Sequence, residues 1–107
     1  MERVELLTVA EAFQLSGIGL TFMPDFPVPD QWKNRIEEIT VVTPTGSRFE
    51  ALAQFNMAHF NIRDSDVSVE RRWRVVVTLP TITKDRVPSG SRILVSPDTR
   101  RALLGDA

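Results

Sequence analysis

Apolar and polar residues alternate along four stretches of the chain, and a period of two is typical of β-strands with one face in a core. The apolar positions that share a parity are Leu20, Phe22 and Phe26, then Ile39 and Val41, then Phe49, Ala51, Ala53 and Phe55, then Trp73, Val75, Val77 and Leu79. We expect each set to point into the core. In the last stretch Arg72, Arg74 and Thr78 have the opposite parity, which predicts a solvated face. The apolar Val76 breaks this pattern and suggests that another part of the chain covers it.

Turn-forming residues separate these stretches at intervals of about a dozen residues, which favours an all-β barrel or sandwich. The turns are Ser16-Gly17, Pro24 to Asp30, Pro44-Thr45-Gly46, Asn61 to Ser68 and Pro88-Ser89-Gly90. The third of them predicts a tight hairpin between a strand that ends near Val42 and one that begins near Arg48.

Two segments predict short helical turns. Residues 9–13 follow Thr8, a candidate N-cap, and are expected to form one turn between extended runs. Near the end of the sequence, Ser96 is a candidate N-cap, Pro97 suits the first helical position and Gly105 suits the end of a helix.

The 107 residues are enough for one domain with one hydrophobic core. A hydrophobic content of 42% and a charged content of 25% are those of an ordinary globular protein, which argues against disorder. We therefore expect residues 1–107 to form an all-β domain: a single small, closed antiparallel β-barrel of about six to seven strands with short helical turns.

Charge and cysteine content exclude several functions. Thirteen basic and 14 acidic residues give a net charge of -1, so no overall charge favours non-specific binding to nucleic acid or acidic membranes. The absence of cysteine excludes disulfides, thiolate catalysis and cysteine-bound metal. Residues 1–5 are acidic where a signal peptide would be basic, and no apolar stretch approaches the ~18 residues of a membrane span, so we expect a cytoplasmic protein without a membrane partner.

Two segments resemble a known family. Residues 9–19 end in Phe13-Gln14-Leu15-Ser16-Gly17-Ile18-Gly19, and residues 84–95 place a basic and acidic turn and Gly90 before the apolar run Ile93-Leu94-Val95. Both are similar to segments of the second domain of elongation factor Tu and related translational GTPases, and the resemblance spans most of residues 3–97. It implies a translation-factor-like barrel but no functional residue, since Ile18 stands where the family commonly has arginine.

The residues that could take part in catalysis or metal binding do not form a pattern typical of an enzyme. No phosphate-binding loop of the Gly-x-x-x-x-Gly-Lys-Ser/Thr type exists, which excludes guanine-nucleotide hydrolysis. His59 is the only histidine, and it would need carboxylates such as Asp64 and Asp66 to bind a metal and a matched serine to act as a base. We expect no catalytic residue, no metal site and no cofactor.

Arg71, Arg72 and Arg74 form the densest basic cluster and are a candidate RNA-binding or anion-binding strip. The alternative is a solvated outer face beside a buried Trp73, which the nearby acidic residues favour.

Two segments are candidate protein contacts. In the proline-rich loop 24–32, Val28 and Trp32 either form an exposed apolar contact or pack across the open end of the barrel. In a second segment, residues 55–60, Met57 and Phe60 are candidates for exposure, while core packing is the favoured alternative for most of the segment. The sequence thus favours a non-enzymatic binding module with a protein partner, with an accessory protein that binds transfer or ribosomal RNA as the alternative and a small immunity or inhibitor protein as a third reading.

Overall fold

A computed structural model describes residues 2–59 and 73–105. Within these residues the backbone forms mainly antiparallel strands, as the all-β prediction expects. The strands are β1 (Val4–Thr8), β2 (Glu11–Leu15), β3 (Gly19–Pro27), β4 (Arg35–Val42), β5 (Arg48–His59), β6 (Trp73–Leu79) and β7 (Arg92–Val95). A 3-10 helix spans Lys84–Arg86, and the helix α1 spans Pro97–Leu104.

The strands form a seven-stranded sheet in the order β1-β7-β4-β5-β6-β3-β2. Its two edges, β1 and β2, are consecutive in the chain and are joined by Val9 and Ala10. Val9 exchanges backbone hydrogen bonds with Gly90 and Ser91, while the Ala10 N–H donates to the Met23 carbonyl. Because β1 pairs with β7 and β2 with β3, the two edges do not pair with each other in the described ranges. The sheet is a curled half-barrel, so the predicted closure of the barrel is wrong.

The alternation predicted the core correctly on most strands. Leu20, Phe22 and Phe26 of β3, Ile39 and Val41 of β4, Ala51, Ala53 and Phe55 of β5, and Val75, Val77 and Leu79 of β6 are all buried. Ile93 and Val95 of β7 belong to the same cluster, and Phe49 is partly buried against it. Burial of these apolar surfaces is the main force that holds the sheet curled.

The predictions that rest on short sequence segments are confirmed in two cases and wrong in one. The hairpin at residues 43–47 is confirmed, with the Gly46 N–H donating to the Thr43 carbonyl and β4 and β5 ending and beginning at the predicted residues. The C-terminal helix is confirmed too, since the Ser96 hydroxyl accepts a hydrogen bond from the Thr99 N–H. The helical turn at residues 9–13 is wrong, because Glu11–Leu15 pairs as β2 with β3 and this ladder overrides a weak local preference.

Strand β6 departs from its predicted alternation. Trp73 is 44% exposed, although its parity is that of the core. It lies in the last residue pair of the β5–β6 ladder, opposite His59, beyond the buried layer around Val75. On the other face, Val76 and Thr78 are buried, so that face is not the predicted solvated one.

Both edges of the sheet are partly covered. The 3-10 helix contacts β2, where the Lys84 N–H donates to the Gln14 side chain at 3.0 Å. The Ser89 hydroxyl donates to the Ala10 carbonyl just before β2. At the opposite edge, α1 contacts β1 and the Arg100 side chain donates to the Glu5 carbonyl at 3.2 Å. Such covers restrain an edge from pairing with other chains.

Candidate functional site: an outer apolar groove

A groove of about 540 Å³ lies on the outer face of the sheet, where β3, β6 and β5 are neighbours. We call it the outer groove. Its lining residues are Leu15, Gly17, Ile18, Thr21, Gln54, Asn56, Met57, Ala58, Val76, Thr78 and Pro80. Its volume falls within the roughly 300–1,000 Å³ that is typical of ligand pockets.

The turn between β2 and β3 forms one wall of the outer groove. The Ile18 N–H donates to the Leu15 carbonyl, and Gly17 has a φ of 77°, as the third residue of a type II turn requires. Gly19, with a φ of 124°, lies so close to the end of β6 that a Cβ there would meet the Leu79 carbonyl oxygen at 2.8 Å. The glycines therefore allow the turn to lie against β6 and to hold Ile18 at the groove.

The floor of the outer groove includes side chains on the face of the sheet opposite the core, among them Thr78, which the period of two predicts to be solvated. Thr21 and Thr78 face each other across β3 and β6, and their hydroxyls are 3.0 Å apart. Val76 lies two residues before Thr78 on β6, and all three side chains are buried. The burial of Val76 on this face agrees with the local cover that its position in the sequence suggests.

Two side-chain amides line the β5 side of the outer groove. The Asn56 amide nitrogen donates to the Gln54 side-chain oxygen at 3.3 Å. Beside them, the Met57 N–H donates to the Asn34 side chain at 2.9 Å, which ties β5 to the segment before β4. These contacts give the amide side of the groove a defined position.

Apolar surface dominates the outer groove, and its lining includes no charged side chain among the described residues. Leu15, Ile18 and Met57 are each at least 40% exposed around it. A quarter of the chain's residues are charged, so an uncharged lining on a sheet's outer face is distinctive. Such a site suits apolar, uncharged groups and offers phosphate groups no cationic partner.

The structure places the predicted contact residues in different environments. Met57 lines the outer groove and is 40% exposed, as a contact residue requires. Val28 and Trp32 are partly buried and pack against the core cluster, which is the arrangement of a loop that packs across the barrel. The Arg35 guanidinium lies 5.3 Å from the centre of the Trp32 ring. Phe60 lies outside the described residues.

The predicted basic strip is described only at Arg74. Its guanidinium forms an ion pair with Asp25 at 3.0 Å, and both side chains are partly buried. The charge of Arg74 is therefore already partnered on β6. Arg71 and Arg72 lie outside the described residues.

No side-chain cluster suited to a metal ion emerges in residues 2–59 and 73–105. No group of three or more histidine and carboxylate side chains lies together there, while Asp64 and Asp66 fall outside the described ranges. Sequence reasoning missed Leu15, Ile18, Gln54 and Asn56 as site residues. The one relevant feature of the sequence is Val76, an apolar residue on a face predicted to be solvated. Its position indicates that something covers it but does not indicate which residues do so.

Three comparisons with known proteins gave no match: no family model, no curated protein and no solved structure resembles the chain closely enough to count. None of the helices in the described part of the chain is long and apolar enough to cross a membrane. Function must accordingly be argued from the chain's own geometry.

Proposed function

We propose that the chain is a non-enzymatic binding module and that a protein partner docks in the outer groove. The observation that carries the proposal is the uncharged apolar groove itself, with Leu15, Ile18 and Met57 exposed around it. Contiguous exposed apolar surface is costly in water and marks interaction sites on folded proteins. Burial of these side chains by a partner would recover that free energy.

The outer groove is part of a larger apolar surface. Ile36 and Leu52, on the outer face of the adjacent strands β4 and β5, are the two most exposed large apolar side chains in the described residues. They lie on the same outer face as Gln54, which is opposite Ile36 in the β4–β5 ladder. Neither side chain lines the groove, so we place the partner contact in the concave groove, where interface hot spots are favoured, and not on this flatter surface.

These observations support the alternative functions less well than they support a protein-binding module. RNA binding needs unpartnered cations, whereas the groove lining is uncharged and Arg74 is paired with Asp25. The likeness to the second domain of translational GTPases remains a prediction, and it adds translation-associated proteins to the candidate partners. A cytoplasmic location remains a prediction as well. An inhibitor or immunity role would be one form of the same proposal, in which the captured partner is an enzyme or toxin.

Site-specific photo-cross-linking tests the proposal. The photoreactive residue p-benzoylphenylalanine replaces Ile18 in one variant and Ile36 in a matched control, because these isoleucines are 56% and 64% exposed and only Ile18 lines the groove. We expect irradiation in source-cell lysate to give one defined protein adduct at position 18, resistant to nuclease and absent or much weaker at position 36. Adducts of equal strength at both positions, or nuclease-sensitive adducts, would contradict docking in the groove.

A charge substitution gives an independent readout. Ile18→Asp should abolish retention of the cross-linked partner by the tagged protein, because a carboxylate in an apolar contact is left without a counter-charge. Ile36→Asp should reduce retention far less. Equal urea midpoints for the two variants would show that the difference comes from binding and not from stability.

A further inference from the structure

We infer that the partner enters the outer groove as a short, extended, uncharged segment, and that the Gln54 and Asn56 amides bind its backbone. The inference rests on the proposed function and adds the chemistry and conformation of the bound segment. It is argued from the hydrogen-bonding capacity of the two amides, their spacing on β5 and the uncharged lining.

The two amides offer one donor group and one acceptor group to a ligand. A side-chain amide has an NH₂ group and a carbonyl oxygen. The hydrogen bond from Asn56 to Gln54 uses one N–H of the Asn56 amide and one lone pair of the Gln54 oxygen. In the described part of the chain this leaves the Gln54 NH₂ and the Asn56 oxygen for other partners. A peptide unit presents the matching acceptor and donor, its C=O and its N–H.

The spacing of the amides fits an extended segment. Gln54 and Asn56 are two residues apart on one face of β5, which corresponds to about 6.6–6.8 Å along a strand. Backbone groups on one side of an extended peptide repeat with the same period. A bound α-helix would bond its backbone groups internally and leave the two amides without partners, at a free-energy cost.

The dimensions limit the segment to a few residues. Gln54, Asn56 and Ala58 line the groove along β5, a length of roughly 13 Å at the rise of a strand. About four extended residues span that distance. Alternate side chains of such a segment would point toward Val76 and Ile18, where apolar groups are favoured and a charged group would be desolvated without a counter-charge.

The edges of the sheet are poorer sites for an extended segment. The Lys84 contact to Gln14 and the Ser89 contact to Ala10 cover the β2 side, and Arg100 bonds the Glu5 carbonyl at the β1 side. Addition of a strand at either edge would have to displace these contacts. A segment that binds in the outer groove leaves these edge contacts in place.

Selection from a displayed library tests the inference without knowledge of the natural partner. A random heptapeptide library displayed on its encoding RNA is selected against the full chain, with counter-selection on the Ile18→Asp variant. We expect enriched peptides with apolar residues at alternate positions and no acidic or basic residue in the central four. Enrichment of charged peptides, enrichment of an i, i+3, i+4 apolar pattern, or no enrichment would overturn the inference.

Backbone recognition is then measured with the best selected peptide on the wild-type chain. A single N-methylation within the central residues should weaken binding by about two- to tenfold, the range that one net hydrogen bond supplies. Gln54→Leu should cause a loss of similar size. Leu104→Asp should leave the affinity unchanged, because Leu104 is exposed at the end of α1, which contacts β1 at the opposite edge of the sheet. N-methylation without effect at every central position would overturn the role of the amides.

The outcomes distinguish this inference from the proposed function. A defined protein adduct at position 18 together with a failed selection would reject the extended segment and keep the interaction module. Selected peptides of the expected kind with no specific adduct at position 18 would show that the groove accepts such segments while the proposed protein docking fails.

Discussion

Gly19 approaches the backbone of Pro80 so closely that a Cβ on Gly19 would lie 2.6 Å from the Pro80 Cα. This contact joins the β2–β3 turn to the end of β6 and so sets the position of one groove wall. The φ of 124° at Gly19 is itself disfavoured for other residues. The approach therefore requires glycine for two separate reasons, space and conformation.

Substitution of the two glycines in the turn should have unequal effects. Gly17→Ala meets no atom within 4 Å and should cost only the strain of its positive φ, about 1–2 kcal/mol. Gly19→Ala should cost more, because backbone atoms of Leu79 and Pro80 must also move. The free energies of unfolding in urea measure both losses. Equal losses would mean that the close approach contributes nothing.

The hydroxyl pair of Thr21 and Thr78 should behave as a coupled unit. Each single substitution by valine leaves the partner hydroxyl buried without its bond and should destabilise the fold by about 1–2 kcal/mol. The double substitution removes both hydroxyls and should recover most of that loss. A double-mutant cycle from urea unfolding measures the coupling, and simple additivity of the two losses would contradict the pairing.

Trp32→Ala should lower the free energy of unfolding of the chain alone, independently of partner binding. The ring is partly buried against the core cluster, and Asn34 accepts a hydrogen bond from its indole N–H. Roughly half of the 3–5 kcal/mol that truncation of a buried aromatic costs, about 2 kcal/mol, is expected. Trp32→Phe should cost less. Circular dichroism during urea unfolding gives both values, and an unchanged midpoint for Trp32→Ala would favour an exposed contact loop instead.

Acid should weaken the contact between Arg3 and Glu50. Arg3 donates to Glu38 at 2.9 Å and to Glu50 at 3.0 Å, and hydrogen bonding with Glu38 and then with Arg3 lowers the pKa of the Glu50 carboxyl. A lowered pKa in the folded state stabilises the fold above the unfolded pKa of about 4.3, and the contribution is lost as the pH falls through the folded value.

The urea midpoints of the wild-type chain and Glu50→Gln should therefore differ most at neutral pH and converge below about pH 4. Salt of about 0.5 M should narrow the neutral-pH difference, since the residues are exposed to solvent. A difference that stays constant from pH 7 to pH 3 would be inconsistent with this mechanism.

The sequence predicted those parts of the fold that depend on one strand at a time. The parity of Leu20 and Phe22 and the cap at Ser96 are local properties, and both are confirmed. The open edge depends instead on which partners Val9 and Ala10 bond, a choice made by residues far away in the chain. Period-two reasoning cannot supply that information.

The site was predictable only in part for the same reason. Met57 is a candidate for exposure in the sequence, and it lines the outer groove. Thr78 is predicted to be solvated from its own strand, whereas Ile18, which lines the same groove, lies on the turn of a different hairpin. Gln54 and Asn56 are ordinary polar residues on an outer face until the turn creates a groove beside them.

The pairing of β1 with β7 also has a consequence for biosynthesis. Val4 lies opposite Val95 and Thr8 opposite Arg92, so the first of the seven described strands forms its ladder with the last of them. At a synthesis rate of about 5–20 residues per second, β1 waits roughly five to twenty seconds for that partner to be made. Leu6 and Leu7, which are buried in the finished molecule, lack their final environment during that interval and are candidates for chaperone contact on the ribosome.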